Sequence, residues 1–410
     1  MKNKIKKFTN NSKKESITIL SKLIAAKTDN PPGNEILAVN IIKEFFQKNK
    51  IKYQIICNPK TKNRPNIIGY LGPDPKQGNK SNIPKKSKEK IKKILLVLHT
   101  DVVPAGDNWN TPPFKATIKN GKIYGRGTSD NKGPLGAALM TLKFLKQYES
   151  KLKHQILLAC VSDEETGGTS NAGIEYLLEK KLITADFTIV PDIAGNMKIL
   201  DIAEKGIINL KITALGKSAH GSTPDEGINA IILLTELIQK LKNYTLKHKS
   251  HKYLSKPTIN FGTILGGDAA NMVAAHCETI LNIRYIPSQT KNKIIAEIKK
   301  ISLPLEQKGK NGKFKFEVLA DAKPHEINPK SKEVQIMLNL LNKELNIKAS
   351  LNGISGATFA KWLNISGIPA IGWGFGNNNQ AHIANEHIKE KEYHKFIEAL
   401  TLICWKLSSE

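Results

Sequence analysis

Histidines and carboxylates recur in this chain at the ends of apolar runs, a combination that can hold a metal ion. His99-Thr100-Asp101 closes the run ILLVL, and a continuous apolar run of that length reads as a buried central strand. Open α/β sheets place their chemistry at the C-terminal ends of such strands. Alternation along a strand puts His99 and Asp101 on one face. A carboxylate beside an imidazole fixes the tautomer and orientation of a metal-binding histidine. Farther on, Asp130 lies in GRGTSDNKG, a glycine-rich turn that opens the helical run PLGAALMTLKFLK. Asp163-Glu164-Glu165 follows another apolar strand, QILLACV. Each feature alone has an ordinary reading: a surface pair, a tight turn, a solvated acidic loop. Their conjunction, in this order, reads as one metal centre.

Positioning these groups requires a framework, and the chain alternates accordingly. Two helical stretches, ITILSKLIAAK and NEILAVNIIKEFFQKN, flank the break DNPPG, and YQIIC and NIIGYL follow as strands. From Leu95 to Ile199 strands alternate with helices, the pattern of a mixed, mainly parallel α/β sheet. Near Glu204 the pattern changes. KGIINLKITALG, GINAIILLTELIQKLKN, TINFGTILGG, ETILNIRYI, TKNKIIAEIKKISLPLEQKG and KFKFEVLA read as strand, helix, strand, strand, helix, strand. That is the ferredoxin-like α+β order. The first domain resumes near Ala322, so the expected boundaries are 1–204 with 322–410 for one domain and 205–321 for an inserted one. Residues 72–93 form a Gly-, Pro- and Lys-rich loop, long for a compact domain, and read as a functional loop or a disordered surface insertion. No internal repeat is present.

A net charge of +27, from 63 Lys+Arg against 36 Asp+Glu, raises nucleic acid as a partner. The charge argues against a designed patch, because Arg64, Arg126 and Arg284 are the only arginines and the lysines are scattered without interleaved aromatics. A general Lys/Asn/Ile bias explains it, and no nucleic-acid partner is expected. Cys57, Cys160, Cys277 and Cys404 lack zinc-ligand spacing and read as free thiols in a reducing cytoplasm. The basic N-terminus has no apolar core of signal-peptide length, and no run approaches a membrane span. A cytoplasmic protein without a membrane partner is expected.

HTDVVPAGDNW, GKIYGRGTSDNKGPL, SDEETGG, GKSAHGSTPDEGINAI and QAHIANEHI resemble the co-catalytic zinc peptidases and N-acyl-amino-acid hydrolases. That family includes succinyl-diaminopimelate desuccinylase, acetylornithine deacetylase, aminoacylase and bacterial dipeptidases. The resemblance runs from about Ser16 to Leu407. It implies a catalytic domain of zinc-exopeptidase type, an inserted dimerisation domain and a homodimer. It also implies two zinc ions, with cobalt or manganese as possible replacements.

Residue by residue, the resemblance makes Asp130 the bridging ligand, a role that a rigid glycine-rich turn suits; its ordinary role would be to cap the following helix. His99 binds one ion, oriented by Asp101. Of the adjacent carboxylates, Glu164 is the general base and Glu165 a ligand, against the alternative that one faces solvent. Asp192, in IVPDIAGN, joins His99; glutamate is usual here in the desuccinylase and deacetylase branch, aspartate in the dipeptidase branch. His382 joins Glu165 on the second metal, with His387 the alternative. His220, otherwise a surface histidine, polarises the scissile carbonyl across the dimer interface, with Asn271 near the same oxygen. Ser355-Gly356-Ala357-Thr358 cradles a substrate carboxylate, or is a helix start without a ligand. Arg284, a planar two-pronged donor, suits the same carboxylate or an inter-strand salt bridge.

These residues lead to the expectation of a zinc amidohydrolase acting on a small substrate with a free carboxylate, a dipeptide or an N-acyl amino acid such as N-succinyl-diaminopimelate. The alternatives are a metal-free binding protein of the same fold and a basic nucleic-acid-binding protein.

Overall fold

Strands Gln155–Val161 and Lys93–His99 are apolar along almost their whole length because both of their faces are covered. In the computed structural model, which describes residues 1–75, 90–192, 195–308, 312–376 and 380–410, they lie side by side at the middle of a mixed sheet. The strand order is Lys52–Ile56, Asn66–Leu71, Gln155–Val161, Lys93–His99, Phe187–Val190, Ala370–Gly372, Ile199–Glu204. Four consecutive members, from Gln155–Val161 to Ala370–Gly372, run parallel. The strands flanking them pair antiparallel. Parallel strands end on the same edge, so the residues after Leu98, Val161, Val190 and Gly372 are delivered together.

One face of the sheet packs Leu95, Val97, Leu157, Ala159 and Val190 against Ile174, Leu177, Phe359 and Leu363 of short helices. Against the central strands also lies helix Lys132–Lys146, buried at almost every residue, with helix Glu390–Ser409 beside it on the same sheet and helix Lys13–Ala25 packed on it. The basic N-terminus, where no element was expected, is a helix, Lys2–Asn11, that buries Ile5 and Thr9.

The chain divides into two units, Met1–Ile202 with Ile327–Asn352 and Thr358–Glu410, and Ala203–Glu326 with Gly353–Ala357. The borders fall a few residues from those expected. Segment Gly353–Ala357, expected with the first domain, groups with the second. The second unit is an antiparallel sheet in the order Thr258–Gly266, His276–Tyr285, Gly206–Leu215, Lys313–Ala322. Helices Ala230–Lys242 and Lys291–Lys308 complete the ferredoxin-like order. Leu233, Leu234, Leu237, Ile294 and Ile298 from these helices pack on Ile208, Leu210, Ile212, Leu281 and Ile283 of the sheet. Strand Thr258–Gly266 is an edge strand with mostly exposed side chains. Of the loop expected over 72–93, residues 76–89 lie outside the described residues.

Candidate metal centre

The parallel strand ends bring His99, Glu164, Glu165 and Asp192 to one edge. Asp130 arrives on the turn before helix Lys132–Lys146 and His382 on the loop after strand Ala370–Gly372. The turn carrying Asp130 is shaped by glycine. Gly127 has φ +87°, and a Cβ on Gly133 would stand 2.1 Å from the Thr128 carbonyl oxygen. The Asp130–Asn131 peptide is cis.

Two ligand groups result, His99 with Asp130 and Asp192, and Asp130 with Glu165 and His382; within each, the donor atoms lie within 4.8 Å of one another. Asp130 belongs to both. Its Oδ1 is 2.9 Å from His99 Nε2 and its Oδ2 is 3.2 Å from His382 Nε2. His99 Nε2 is also 3.7 Å from Asp192 Oδ1, and His382 Nε2 is 3.0 Å from Glu165 Oε2. The arrangement is a candidate dinuclear site, its nitrogen and oxygen donors of the kind that zinc, cobalt and manganese accept.

Asp101 is fully buried and does more than face the imidazole. His99 Nδ1 lies 3.0 Å from the Asp101 carbonyl oxygen and 3.5 Å from its carboxylate, which leaves Nε2 facing the cluster. The same carboxylate accepts from the amides of Glu164 and Glu165 at 3.3 and 3.1 Å and from Asn30 Nδ2 at 2.9 Å. Asp101 thus couples the ends of two adjacent strands.

The side chains also act on one another's charge. Burial disfavours the His99 imidazolium, but Asp101, Asp130 and Asp192 outweigh it and hold its pKa well above the ordinary value. Bonds to Asp130 and Glu165 raise His382 to about 10. Burial works to raise Asp130, yet His382 and His99 hold it below the carboxylate range. Burial, then the charge of Asp192, pushes Glu164 well up. Burial likewise raises Glu165 and Asp192. Carboxylates crowded away from water are a setting that divalent cations relieve, so the residues fit a metal pair.

His387 is not in the cluster; its ring lies against Tyr124, centroids 4.9 Å apart. In the second unit, His220 and Asn271 are exposed on neighbouring loops, joined by the Gly221 amide donating to the Asn271 carbonyl at 2.8 Å. His220 Nδ1 pairs with Ser222 Oγ at 2.6 Å. Arg284 is half-buried; its Nε donates to Asn282 at 2.9 Å and its Nη1 to the Ser355 carbonyl at 3.4 Å. Burial lowers its pKa. Ser355 and Gly356 are exposed. Thr358 is buried, and its Oγ1 caps helix Phe359–Ile365 by accepting from the Ala360 amide. The segment is a helix start, and the Thr358 side chain is occupied there.

Several groups escaped sequence reasoning. Asn131 Nδ2 holds Asp192 Oδ1 at 2.9 Å. Asp163, at φ +69°, accepts from the Ser170 amide and hydroxyl and pairs with Arg64 at 3.0 Å, which fixes the loop bearing Glu164 and Glu165. Glu386 is fully buried and receives four donors around the Asp130 turn. A signal that could have found it is its place in QAHIANEH, and for Arg64 and Arg126 their rarity.

The model of Peptidase family M20/M25/M40 matches residues 95–406. The chain is 30% identical over 410 aligned positions to an uncharacterized metallohydrolase of Methanococcus maripaludis, covering 94% of this chain and 97% of that one. It is also 30% identical over 370 positions to acetylornithine deacetylase of Proteus mirabilis, covering 88% and 87%. Among solved structures, aminopeptidase PepT of Bacillus cereus superposes with a TM-score of 0.75 at 18% identity over 95% of this chain and 97% of that one, a likeness of fold.

Proposed function

Because the chain belongs to Peptidase family M20/M25/M40, we propose that it is a two-zinc amidohydrolase that cleaves a dipeptide or an N-acyl amino acid. It is a metallohydrolase of the peptidase and deacetylase type, acting on amide or peptide bonds. The observation that carries the finer reading is Asp130, whose two carboxylate oxygens divide between the His99 and Asp192 group and the Glu165 and His382 group. A bridging carboxylate has this disposition.

His99, Asp192, Glu165, His382 and Asp130 would hold the ions. When bound, two ions supply Lewis acidity to the scissile carbonyl and to the attacking water. Glu164 takes the proton as the water oxygen attacks the carbonyl carbon. It returns that proton to the departing nitrogen when the C–N bond breaks, which leaves a carboxylic acid and an amine, or after proton exchange a carboxylate and an ammonium group. Asp101 keeps His99 Nε2 aimed at the cluster. His220, with Asn271 near the same oxygen, would donate to the developing oxyanion in the site of a second copy, and Arg284 with the Ser355-Gly356 backbone would take the substrate carboxylate.

We further propose a homodimer through the second unit. Its edge strand exposes Ile264 and Leu265 at 51% and 66%, and nearby surface exposes Ile232 and Met272 at 58% and 45%. Apolar surface beside an open strand edge is suited to pairing. The cytoplasmic assignment is supported by four free cysteines, three of them buried. Among the described residues no helix is long and apolar enough to cross a membrane.

Asp192 favours a dipeptide, while the identity to acetylornithine deacetylase favours an N-acyl amino acid. The test is amine release by the zinc-loaded protein from a panel of dipeptides, N-succinyl-diaminopimelate and N-acetylornithine. Cleavage of at least one, lost on chelation and restored by zinc, is expected. A protein that holds two zinc ions and cleaves none contradicts the proposal.

A further inference from the structure

Three of the five assigned ligands, His99, Glu165 and Asp192, sit on or just after parallel strands, and the sheet sets their spacing. Asp130 and His382 have no such support. Each lies on a loop, and His382 has φ +65°, a left-handed conformation that a histidine keeps only where its surroundings impose it.

The imposing contacts centre on one buried ion pair. Glu386 Oε1 accepts from the amides of Ser129 at 2.7 Å and Asp130 at 3.1 Å. Its Oε2 accepts from the Gly127 amide at 2.9 Å and from Arg126 Nη1 at 2.8 Å. Arg126 Nη1 also donates to the Ile383 carbonyl at 3.1 Å, next to His382. Its Nη2 reaches the carbonyls of Ala105 at 3.0 Å and Pro104 at 3.3 Å, on the loop that follows His99 and Asp101. Trp109 packs over the guanidinium, 5.2 Å from ring centroid to Cζ. A planar fork can reach three segments at once; a lysine ammonium cannot. Both side chains are almost wholly buried, at 2% and 0% exposure, so each charge depends on the other and on these bonds.

We propose that Arg126 and Glu386 form a clasp that sets the spacing of Asp130 and His382, and with it the affinity and geometry of the metal centre. Both are positioning residues. The proposal rests on the ligand assignment above. In Glu386→Gln the side-chain shape is retained, but an NH₂ group faces two of the four donors, so one oxygen's bonds are lost and the turn must shift.

The test is titration of metal-free protein with cobalt(II), reading affinity and the visible absorption at saturation, alongside melting of the metal-free forms. Glu386→Gln should fold, bind cobalt about 10–100-fold more weakly and give an altered visible spectrum. Wild-type affinity overturns the clasp. So does weaker binding that ends in a wild-type spectrum, which would mark a general loss of stability. If Glu386→Gln does not fold, Arg126→Lys decides by the same criteria; if neither folds, the pair belongs to the framework and the clasp is refuted. A wild-type protein that takes up no cobalt refutes the ligand assignment itself, and the clasp falls with it.

Discussion

The two units carry their candidate residues in opposite ways. In the first, His99 and Asp101 have no exposed surface, and every assigned ligand has a donor atom within 3.7 Å of another ligand's. In the second, His220 and Asn271 are exposed, His220 bonded to Ser222 of its own loop and the Asn271 carbonyl to the Gly221 amide of the neighbouring one, and Arg284 leans on Asn282 and Ser355. The contrast follows from the task. Ligands that hold cations a few ångströms apart must be fixed before the ions arrive, so the fold spends its parallel strand ends on them. Groups that meet a substrate have to stay open to it. Removing a member of the cluster should therefore disable chemistry outright, whereas removing one of the second unit's open residues should weaken binding or transition-state contact.

The largest effect is expected at Glu164. Glu164→Gln should keep both ions, measured by elemental analysis, and lower kcat by about 10²–10⁴-fold, the range for a lost general base. If that substitution lost a metal while Glu165→Gln did not, the two assignments would be exchanged. Next comes His220→Ala, with kcat down about 10²–10³-fold and metal content unchanged. Mixing inactive Glu164→Gln and His220→Ala chains under subunit exchange should restore activity if His220 serves a second copy's site. No recovery despite exchange would confine His220 to its own chain or to no role.

A smaller effect is expected at Arg284, where Lys retains the charge but not the fork. Arg284→Lys should raise KM about tenfold, equivalent to about 1.4 kcal/mol, with kcat little changed; an unchanged KM would remove Arg284 from substrate binding. The smallest concerns Glu175, behind the Glu164 loop, where burial raises the carboxyl from 4.5 to about 7 and Oε2 lacks a partner among the described residues. A raised carboxyl means that the folded state binds the proton more tightly than the unfolded chain. Stability is then present in full below pH 4.5 and is lost as pH rises through about 7. Glu175→Gln should lift Tm by about 2–4 °C at pH 8 and far less at pH 5; equal shifts at both would contradict the burial account.

What the sequence disclosed was local. ILLVL and QILLACV announced buried strands, and the polar residues that ended them had little role open but chemistry. The strand–helix order of the second unit was equally plain, because alternation and helical periodicity change within a few residues. His382 was told from His387 by resemblance alone, since the two stand close in sequence; the structure places His387 on strand His387–Lys389, with its ring against Tyr124. The clasp was invisible because Arg126 and Glu386 stand 260 positions apart, and a bond between remote segments leaves no periodicity. For the same reason Gly353–Ala357 could not be assigned to the second unit, nor Thr358 read as a cap, before the chain was folded.

The most direct test of a preassembled centre is anomalous scattering at the zinc edge from crystals of the zinc-loaded protein. Two peaks about 3.5–4 Å apart are expected, one against His99 and Asp192 and one against Glu165 and His382, with Asp130 between them. A single peak, or a pair held by other residues, would contradict the account.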